Sequence, residues 1–296
     1  MANISTTRIA TTDRPAALLA DAPDLLVKGR TELKYSLPGP IADAALHEAR
    51  GYLRHDTFAL GPQQRVTSLY LDTAHLTFLR WHRERVLDRF KLRIRRYGDQ
   101  AAATLYAEVK RKTGSVVRKH RAAFPPDTLH AVLNGPLGGG ILSDPARAPV
   151  GRVLLDPASA SVGRVLLDPA LEEFVWHRSR CGAKPTILVT CVRESLRDPR
   201  DGTAVTVDRD LRYQPTCRWD TNALRSVFLA NSAGALGEWR SIPLPDAPGR
   251  ATALLELKYV LDPEPWMATL IEALAPWRVS FSKYAAAMTA SVPAAG

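Results

Sequence analysis

The chain has 296 residues, which is enough for one large domain or two small ones. Its apolar share of 46% is typical of a globular protein with a hydrophobic core, and its formal net charge of +10 favours polyanionic partners. The three cysteines are odd in number and lack C-x-x-C spacing, which argues against a disulfide framework or a zinc site. With no signal peptide and no apolar run long enough to span a bilayer, the sequence predicts a soluble cytoplasmic protein.

Taken in order, the chain predicts an N-terminal tail followed by a succession of strands and helices. Residues 1–26 lack sustained periodicity, which predicts a flexible tail. Apolar residues at every second position predict strands, and apolar residues three or four apart predict helices. We expect strands at 30–35, 66–72, 82–97 (bent or broken near Asp88), 104–112, 115–124, 185–196, 203–213, 236–243 and 250–260. We expect helices at 41–54, 74–80, 171–178, 263–275 and in the alanine-rich C-terminal tail.

Roughly eight strands in hairpin succession, with helices at the flanks, are typical of an antiparallel barrel. We therefore predict an α+β fold, an antiparallel β tunnel barrel with flanking helices, in a single domain over 27–290. A Pro- and Gly-rich insertion is expected at about 125–170. Within it a twelve-residue unit, A-P-V-G-R-V-L-L-D-P-A-S, is duplicated in tandem, and two copies are too few for a solenoid.

Charged residues alternate along several of the predicted strands. Successive residues of a strand point to opposite faces, so Lys91, Arg93 and Arg95 share one face. On a single strand, exposure to water is the simpler explanation of such a pattern. The same alternation recurs on four other strands, at Glu32 and Lys34, Glu108 and Lys110, Lys119 and Arg121, and Glu256 and Lys258. A barrel interior lined by cations and a few carboxylates explains all five strands, because cations would bind phosphates and carboxylates would hold their divalent metal.

Other nucleotide and metal sites are excluded by their missing motifs. The sequence contains no G-x-x-x-x-G-K-[ST] loop and no G-x-G-x-x-G fingerprint, which excludes a P-loop and disfavours a dinucleotide site. The seven histidines form no H-x-x-x-H or H-E-x-x-H pair, which argues against a zinc hydrolase.

Taken together, the charged motifs resemble those of a known family. They are R-x-E-x-K-Y at 30–35, S-L-Y-L-D-T at 68–73, K-x-R-x-R-x-Y at 91–97, E-x-K at 108–110, K-x-R at 119–121, E-x-K at 256–258 and S-K-Y at 282–284. In this order they resemble the VTC domain, the polyphosphate-polymerase branch of the triphosphate tunnel metalloenzyme (CYTH-like) superfamily. The resemblance extends from about residue 28 to residue 286.

The resemblance implies a tunnel that binds triphosphate or polyphosphate with Mg²⁺ or Mn²⁺. Polymerase members of the family transfer the γ-phosphoryl group of ATP to a growing polyphosphate chain. The implied phosphate ligands are Lys34, Lys91, Arg93, Arg95, Lys110, Lys119, Arg121, Arg193, Lys283 and Ser282. Glu256 is the implied metal ligand, while Glu32 and Glu108 either join the metal shell or pair with neighbouring cations.

Two positions depart from the family pattern. The family has a Y-x-R segment whose arginine corresponds to Arg193. Its tyrosine is replaced here by Cys191, so the tyrosine hydroxyl is missing. Ala204 stands where the family usually has an arginine, so a cation is missing.

The sequence therefore predicts a metal-dependent polyphosphate polymerase, a phosphotransferase of the ATP:polyphosphate type. The expected partners are ATP or another triphosphate and polyphosphate, with no specific nucleic acid, and the sequence identifies no protein partner. A triphosphatase on the same residues and a non-catalytic polyphosphate-binding module are the alternatives. A general nucleic-acid binder would instead show a steep salt dependence and no preference for triphosphate.

Overall fold

The computed structural model describes residues 30–56, 61–99, 103–114, 116–135, 168–216, 238–246 and 248–292. The predicted N-terminal tail and most of the predicted insertion, with its duplicated unit, lie outside the described residues. The strands are β1 (Arg30–Leu37), β2 (Arg54–His55), β3 (Gln63–Asp72), β4 (Asp88–Tyr97), β5 (Leu105–Thr113), β6 (Val116–Phe124), β7 (Lys184–Arg197), β8 (Ala204–Pro215), β9 (Arg240–Ser241) and β10 (Ala253–Val260). The α-helices are α1 (Gly39–Arg50), α2 (Thr77–Arg83), α3 (Leu129–Asn134), α4 (Pro169–Arg180), α5 (Pro265–Ala273) and α6 (Lys283–Ser291). No described helix is both long and apolar enough to cross a bilayer.

The strands form one antiparallel sheet that curls into a half-barrel. Eight strands follow one another in the order β1-β10-β8-β7-β3-β4-β5-β6, with β2 beside β7 and β9 beside β8. The predicted fold class and the eight main strands are confirmed. Among the described residues, however, the edge strands β1 and β6 do not pair with each other, so the barrel is not closed by hydrogen bonds. Lys110 Nζ on β5 still lies 3.5 Å from Glu32 Oε2 on β1, so the curl brings both ends of the sheet within side-chain reach.

The convex face of the sheet carries two of the three apolar clusters found among the described residues and is covered by helices, while the third cluster packs under α6 on the concave side. Leu33 and Tyr35 of β1 are buried in one cluster with Leu46 of α1 and Met267 of α5. A second cluster buries Phe174 of α4 against residues of β4, β5 and β6. Because side chains alternate along a strand, burying the apolar face commits the charged residues to the concave face.

Helix α6 packs against the concave side of the sheet. The ring of Tyr284 stacks on that of Tyr70 in β3, with centroids 5.0 Å apart. The preceding segment runs beside the free edge of β1, where the Val279 N–H donates to the Lys34 carbonyl over 2.8 Å. Ser282 begins the helix, since its hydroxyl accepts from the Ala285 N–H and so caps the first turn.

Asp72, the last residue of β3, ties helices α2 and α6 to the sheet. Its buried carboxylate accepts the N–H groups of Phe78 and Leu79, each at 2.9 Å, in the first turn of α2. It also accepts the hydroxyl of Tyr284 at 2.5 Å. The first amides of a helix have no partner within the helix, so Asp72 explains why α2 begins at this point.

Several boundaries differ from the predicted ones. Residues 82–87, predicted as strand, are the end of α2 and a turn in which Arg85 has a φ of 55°. The strand predicted at 236–243 is reduced to β9, and the two-residue β2 was not predicted because it is too short to show a period. Helix α3 lies at the start of the segment predicted to be an insertion.

Replacing Asp72 should destabilise the fold more than its single charge would suggest. In Asp72→Ala, two helix amides and a buried hydroxyl lose their acceptor, so we expect the free energy of unfolding to fall by about 3 kcal/mol. Urea unfolding at pH 7 measures this change. Asp43→Ala is the control, because its exposed ion pair with Arg209 should contribute less than about 1 kcal/mol. Equal losses in the two variants would contradict the role of Asp72.

Candidate functional site

The concave face of the sheet is lined with ionisable side chains, most of them cationic. Strand alternation and pairing register place the charged residues of neighbouring strands side by side. The cations are Lys34, Lys91, Arg93, Arg95, Lys110, Lys119, Arg121, Arg193 and Lys258, joined by Lys283 from the start of α6. The carboxylates are Glu32, Glu108, Asp208 and Glu256. All of the site residues predicted from sequence are therefore found on this face or, with Ser282, at the start of α6.

One group of charges surrounds Glu108 on β5, which is 1% exposed. Arg93 Nε donates to its Oε2 at 2.5 Å, while Lys119 Nζ lies 2.8 Å and Arg121 Nε 3.7 Å from its Oε1. Burial alone would raise the pKa of this carboxyl, but the surrounding cations hold it well below its usual range. Glu108 is therefore a permanent anion that allows β4, β5 and β6 to place arginine and lysine together.

A second group surrounds Asp208 on β8 and Glu256 on β10. Arg193 grips Asp208 with two bonds, Nε to Oδ1 at 2.7 Å and Nη2 to Oδ2 at 2.8 Å. Lys283 Nζ lies 2.5 Å from Asp208 Oδ2 and 3.5 Å from Glu256 Oε1. Glu256 also pairs with Lys258 at 2.8 Å, and although burial would raise its pKa, these lysines hold the pKa well below its usual range.

Glu32 connects this second group to β5. Its Oε1 lies 3.0 Å from Lys34 Nζ, which also lies 3.6 Å from Glu256, and its Oε2 lies 3.5 Å from Lys110 Nζ. Burial and Glu256 raise the pKa of Glu32, but Lys110 and Lys34 outweigh them and lower it to about 2. Carboxylates and ammonium groups thus alternate across the open side of the half-barrel.

Two cations of β4 have only neutral hydrogen-bond partners within the part of the chain that the structure describes. Among the residues that the structure describes, neither Lys91 nor Arg95 forms an ion pair with a carboxylate. Lys91 Nζ donates to Ser282 Oγ at 3.0 Å, and Arg95 donates to Ser68 Oγ at 3.1 Å and to the Tyr97 hydroxyl at 3.4 Å. Burial and the charges of nearby cations, first among them Lys110, lower the pKa of Lys91 to about 7. Positive charge is concentrated here beyond what the carboxylates neutralise.

The sequence matches a known domain family over nearly all of this structure. A family model for the VTC domain matches residues 29–292. This chain belongs to the VTC domain family. In sequence comparison, no curated protein matches it.

Solved structures with loosely similar shapes include three proteins named as adenylate cyclases. One from Vibrio parahaemolyticus is 12% identical, with a TM-score of 0.39 over 88% of this chain and 98% of that one. One from Bacillus halodurans is 10% identical, with a TM-score of 0.42, and the match covers 86% of this chain and 95% of that one. HpAC1 from Hippeastrum, described as having a dominant triphosphatase activity, is 14% identical, with a TM-score of 0.40. The match covers 88% of this chain and 96% of that one.

The two departures from the VTC domain pattern both lie on the concave face. The Cys191 thiol is buried and donates to Asp208 Oδ1 at 3.5 Å, and burial beside this carboxylate raises its pKa to about 12. Ala204 lies in register between Lys258 of β10 and Arg197 of β7. An arginine at this position would therefore lie beside two other cations, Lys258 and Arg197.

The carboxylates of this VTC domain suit a metal ion that arrives with phosphate better than a resident one. No three described His, Cys, Asp or Glu residues are grouped so that they could hold a metal. Lysine ammonium groups lie between the carboxylates, Lys34 between Glu32 and Glu256, and Lys283 between Glu256 and Asp208. Mg²⁺ commonly takes only one or two carboxylates and completes its shell with water and substrate phosphates. Glu256 fits such a role.

Sequence reasoning missed one member of the site, Asp208, and placed Lys258 on the charged face without assigning it a role. Asp208 is fully buried on the concave face and orients both Arg193 and Lys283. Its signal was the V-T-V-D run, in which Thr206 and Asp208 alternate with valines as the charged residues of other strands do. Lys258 stands two residues after Glu256, as Lys34 stands two residues after Glu32.

The lowered pKa of Lys91 predicts a pH-dependent cost in stability. The unfolded chain binds this proton below about pH 10.5, the ordinary lysine value, whereas the folded chain binds it fully only below about pH 7. Folding is therefore penalised throughout this window, most of all at its acidic end. We expect Lys91→Met to raise the urea midpoint at pH 7, with the gain shrinking towards pH 10.

The exposed Lys184→Met variant is the control for this pH series and should show no such trend. A Lys91→Met gain that stays constant between pH 7 and pH 10 would contradict the electrostatic explanation.

Proposed function

We propose that this VTC domain is a metal-dependent polyphosphate polymerase that transfers the γ-phosphoryl group of ATP to a polyphosphate chain. The observation that carries the proposal is the excess of cations on the concave face. In particular, among the described residues Lys91 and Arg95 have no carboxylate partner. Phosphate oxygens are the partners that such groups accept best, and arginine binds them through two parallel hydrogen bonds.

The proposed phosphate ligands form two groups on facing parts of the half-barrel. One group lies around Glu108 on β4, β5 and β6, and the other lies around Glu256 where β1 and β10 meet α6. A phosphate chain lying along the concave face would contact both groups. The proposed ligands are Lys34, Lys91, Arg93, Arg95, Lys110, Lys119, Arg121, Arg193, Lys283 and Ser282.

The reaction asks the protein mainly for positioning and charge neutralisation. A terminal phosphate oxygen of the acceptor chain attacks the γ-phosphorus, the bond to the β–γ bridging oxygen breaks, and ADP leaves with that oxygen. The acceptor oxygen is already ionised at neutral pH, so neither a serine nor a histidine base is required. Phosphoryl transfer of this kind depends on fixed cations around the equatorial oxygens.

We propose Glu256 as the residue that holds Mg²⁺ or Mn²⁺ together with the substrate phosphates. When bound, the ion would neutralise charge on the phosphoryl oxygens. Glu108 is a poorer candidate because Arg93 at 2.5 Å and Lys119 at 2.8 Å occupy both of its oxygens. Glu256 Oε1, by contrast, has only the longer contacts of Lys283 and Lys34, at 3.5 Å and 3.6 Å. Glu32 is engaged to a similar degree as Glu256, with Lys34 and Lys110, and it is the resemblance to the VTC domain that favours Glu256 over it. We therefore propose ion-pair roles for Glu32 and Glu108.

Each alternative function has an observation in its favour. Hydrolysis would need water at the γ-phosphorus, and in the described part of the chain β1 and β6 do not pair with each other, which leaves the half-barrel open on that side. Binding without turnover would be favoured if the metal could not displace the lysines that contact Glu256. Polymerisation and hydrolysis would use the same ligands and differ only in the acceptor. A binding module would use the same ligands without turnover.

Product analysis distinguishes the three functions. We expect the purified protein, incubated with ATP and Mn²⁺ or Mg²⁺, to release ADP and to form long-chain polyphosphate visible on a gel. Free phosphate without polyphosphate would identify a triphosphatase instead. No turnover, with polyphosphate still bound after chelation of the metal, would identify a binding module.

Glu256→Gln tests the proposed metal ligand. We expect turnover to fall at least about a hundredfold, because the amide is a weaker ligand for a divalent cation. Binding of tripolyphosphate in chelator should be retained, since Lys34, Lys258 and Lys283 remain and lose a competing anion. Turnover assays and calorimetric titration measure the two effects separately.

The matched control is Glu272→Gln, an exposed position on α5 outside the concave face. It should leave both quantities unchanged. Wild-type turnover in Glu256→Gln would contradict the proposed role of Glu256.

A further inference from the structure

Two tyrosines and an arginine form an aromatic group at one end of the concave face. The guanidinium carbon of Arg121 lies 3.7 Å from the ring centroid of Tyr106 and 5.1 Å from that of Tyr97. The two rings meet edge to face with centroids 5.6 Å apart. All three side chains are partly exposed, so they remain accessible to a ligand. We call these three residues the aromatic platform.

The pairing register places the aromatic platform directly beside the proposed phosphate ligands. Tyr97 is the last residue of β4, and Tyr106, near the start of β5, is the register partner of Arg95. Arg121 pairs with Glu108 in the register of β5 and β6. Arg121 therefore belongs both to the cation group around Glu108 and to the aromatic platform.

The rings are out of place on a surface that binds phosphate alone. The face of an aromatic ring is negative, so it attracts cations and repels phosphate oxygens. Arg121 Nε is buried without a hydrogen-bond partner among the described residues and has only the 3.7 Å ion pair with Glu108 Oε1, so contact with the rings also holds this guanidinium in place. A guanidinium stacked on a ring keeps its plane available for a second flat group.

We propose that Tyr97, Tyr106 and Arg121 form a stacking platform for the base of a nucleoside triphosphate. The inference rests on the proposed function and adds to it a site that favours a nucleotide over an inorganic triphosphate. With the phosphates on the cations around Glu108, the base would lie at the end of β4, where aromatic rings and guanidinium planes are the groups that proteins use to stack bases. Stacking tolerates any base, so we expect little discrimination between ATP and GTP.

The competing explanation is that the rings only hold Arg121 in position to bind phosphate. The two explanations differ in the ligand that the rings affect. A stacking platform contributes to nucleotide affinity and nothing to tripolyphosphate affinity. A purely positioning role affects both ligands alike, because both would lose the same phosphate contact.

The test compares affinities for a non-hydrolysable ATP analogue and for inorganic tripolyphosphate in the full-length chain. We expect Tyr106→Leu to weaken binding of the analogue about tenfold while changing tripolyphosphate affinity less than twofold. Tyr106→Phe keeps the ring and should restore wild-type affinity for the analogue. Calorimetric titration of both ligands measures these ratios.

Tyr52→Leu is the matched control, because Tyr52 stacks on Trp266 with centroids 4.8 Å apart and lies on a helix-covered part of the surface away from the proposed phosphate ligands. It should change neither affinity. Equal losses for both ligands in Tyr106→Leu, or no loss for either, would overturn the stacking proposal while leaving the proposed function intact. A wild-type chain that bound tripolyphosphate no better than sulfate would contradict the proposed function, and the inference with it.

Discussion

The structure depends on interleaving a few buried carboxylates among many cations. Cations on facing strands repel one another, and burial strengthens that repulsion because the dielectric constant falls. Asp208 and Glu108 offset it, the first by gripping Arg193 and Lys283, the second by holding Arg93 and Lys119. Removing one partner of a buried pair leaves the other charge unpaired, which destabilises the folded state. The fold therefore needs these carboxylates in order to hold the cations of the proposed site.

The two faces of the curled sheet divide most of the apolar core from most of the charged residues. Its convex face buries leucine, valine and tyrosine under the helices, and the apolar area removed from water there stabilises the fold. Its concave face carries the charged residues together with a third apolar cluster under α6, which includes Tyr70, Val189 and Tyr284. Asp72 links the two faces, since one carboxylate begins α2 and, through Tyr284, holds α6 against the sheet beside Lys283.

Much of this arrangement could be predicted from the sequence, because alternation is local. The period of two identified the main strands and assigned Lys91, Arg93 and Arg95 to one face before any pairing was known. The open edge between β1 and β6 could not be predicted, since curl and closure depend on contacts between strands distant in sequence. Asp208 was missed for a related reason: its partners Arg193 and Lys283 are brought to it only by the pairing of β7 with β8 and by the docking of α6. The strand predicted over 82–87 was wrong because the helix that Asp72 caps at Thr77 continues to Arg83 and is followed by a turn, and a periodic pattern contains neither the side-chain cap nor the left-handed turn at Arg85.

The distribution of unneutralised charge bears on the length of the proposed ligand. The concave cations extend over six strands and the start of α6, and Lys91 lies between the two groups, beside Lys110 in register and within 3.0 Å of Ser282. A ligand that reached only the cations around Glu108 would leave the repulsion around Lys91 and Lys34 unrelieved. A longer phosphate chain would relieve both, and each contact that it makes in the folded state alone would add to stability by mass action. The electrostatic cost that the free protein carries is therefore best matched by a polyanion with many charges, which supports the proposal of polyphosphate rather than a short triphosphate as the ligand.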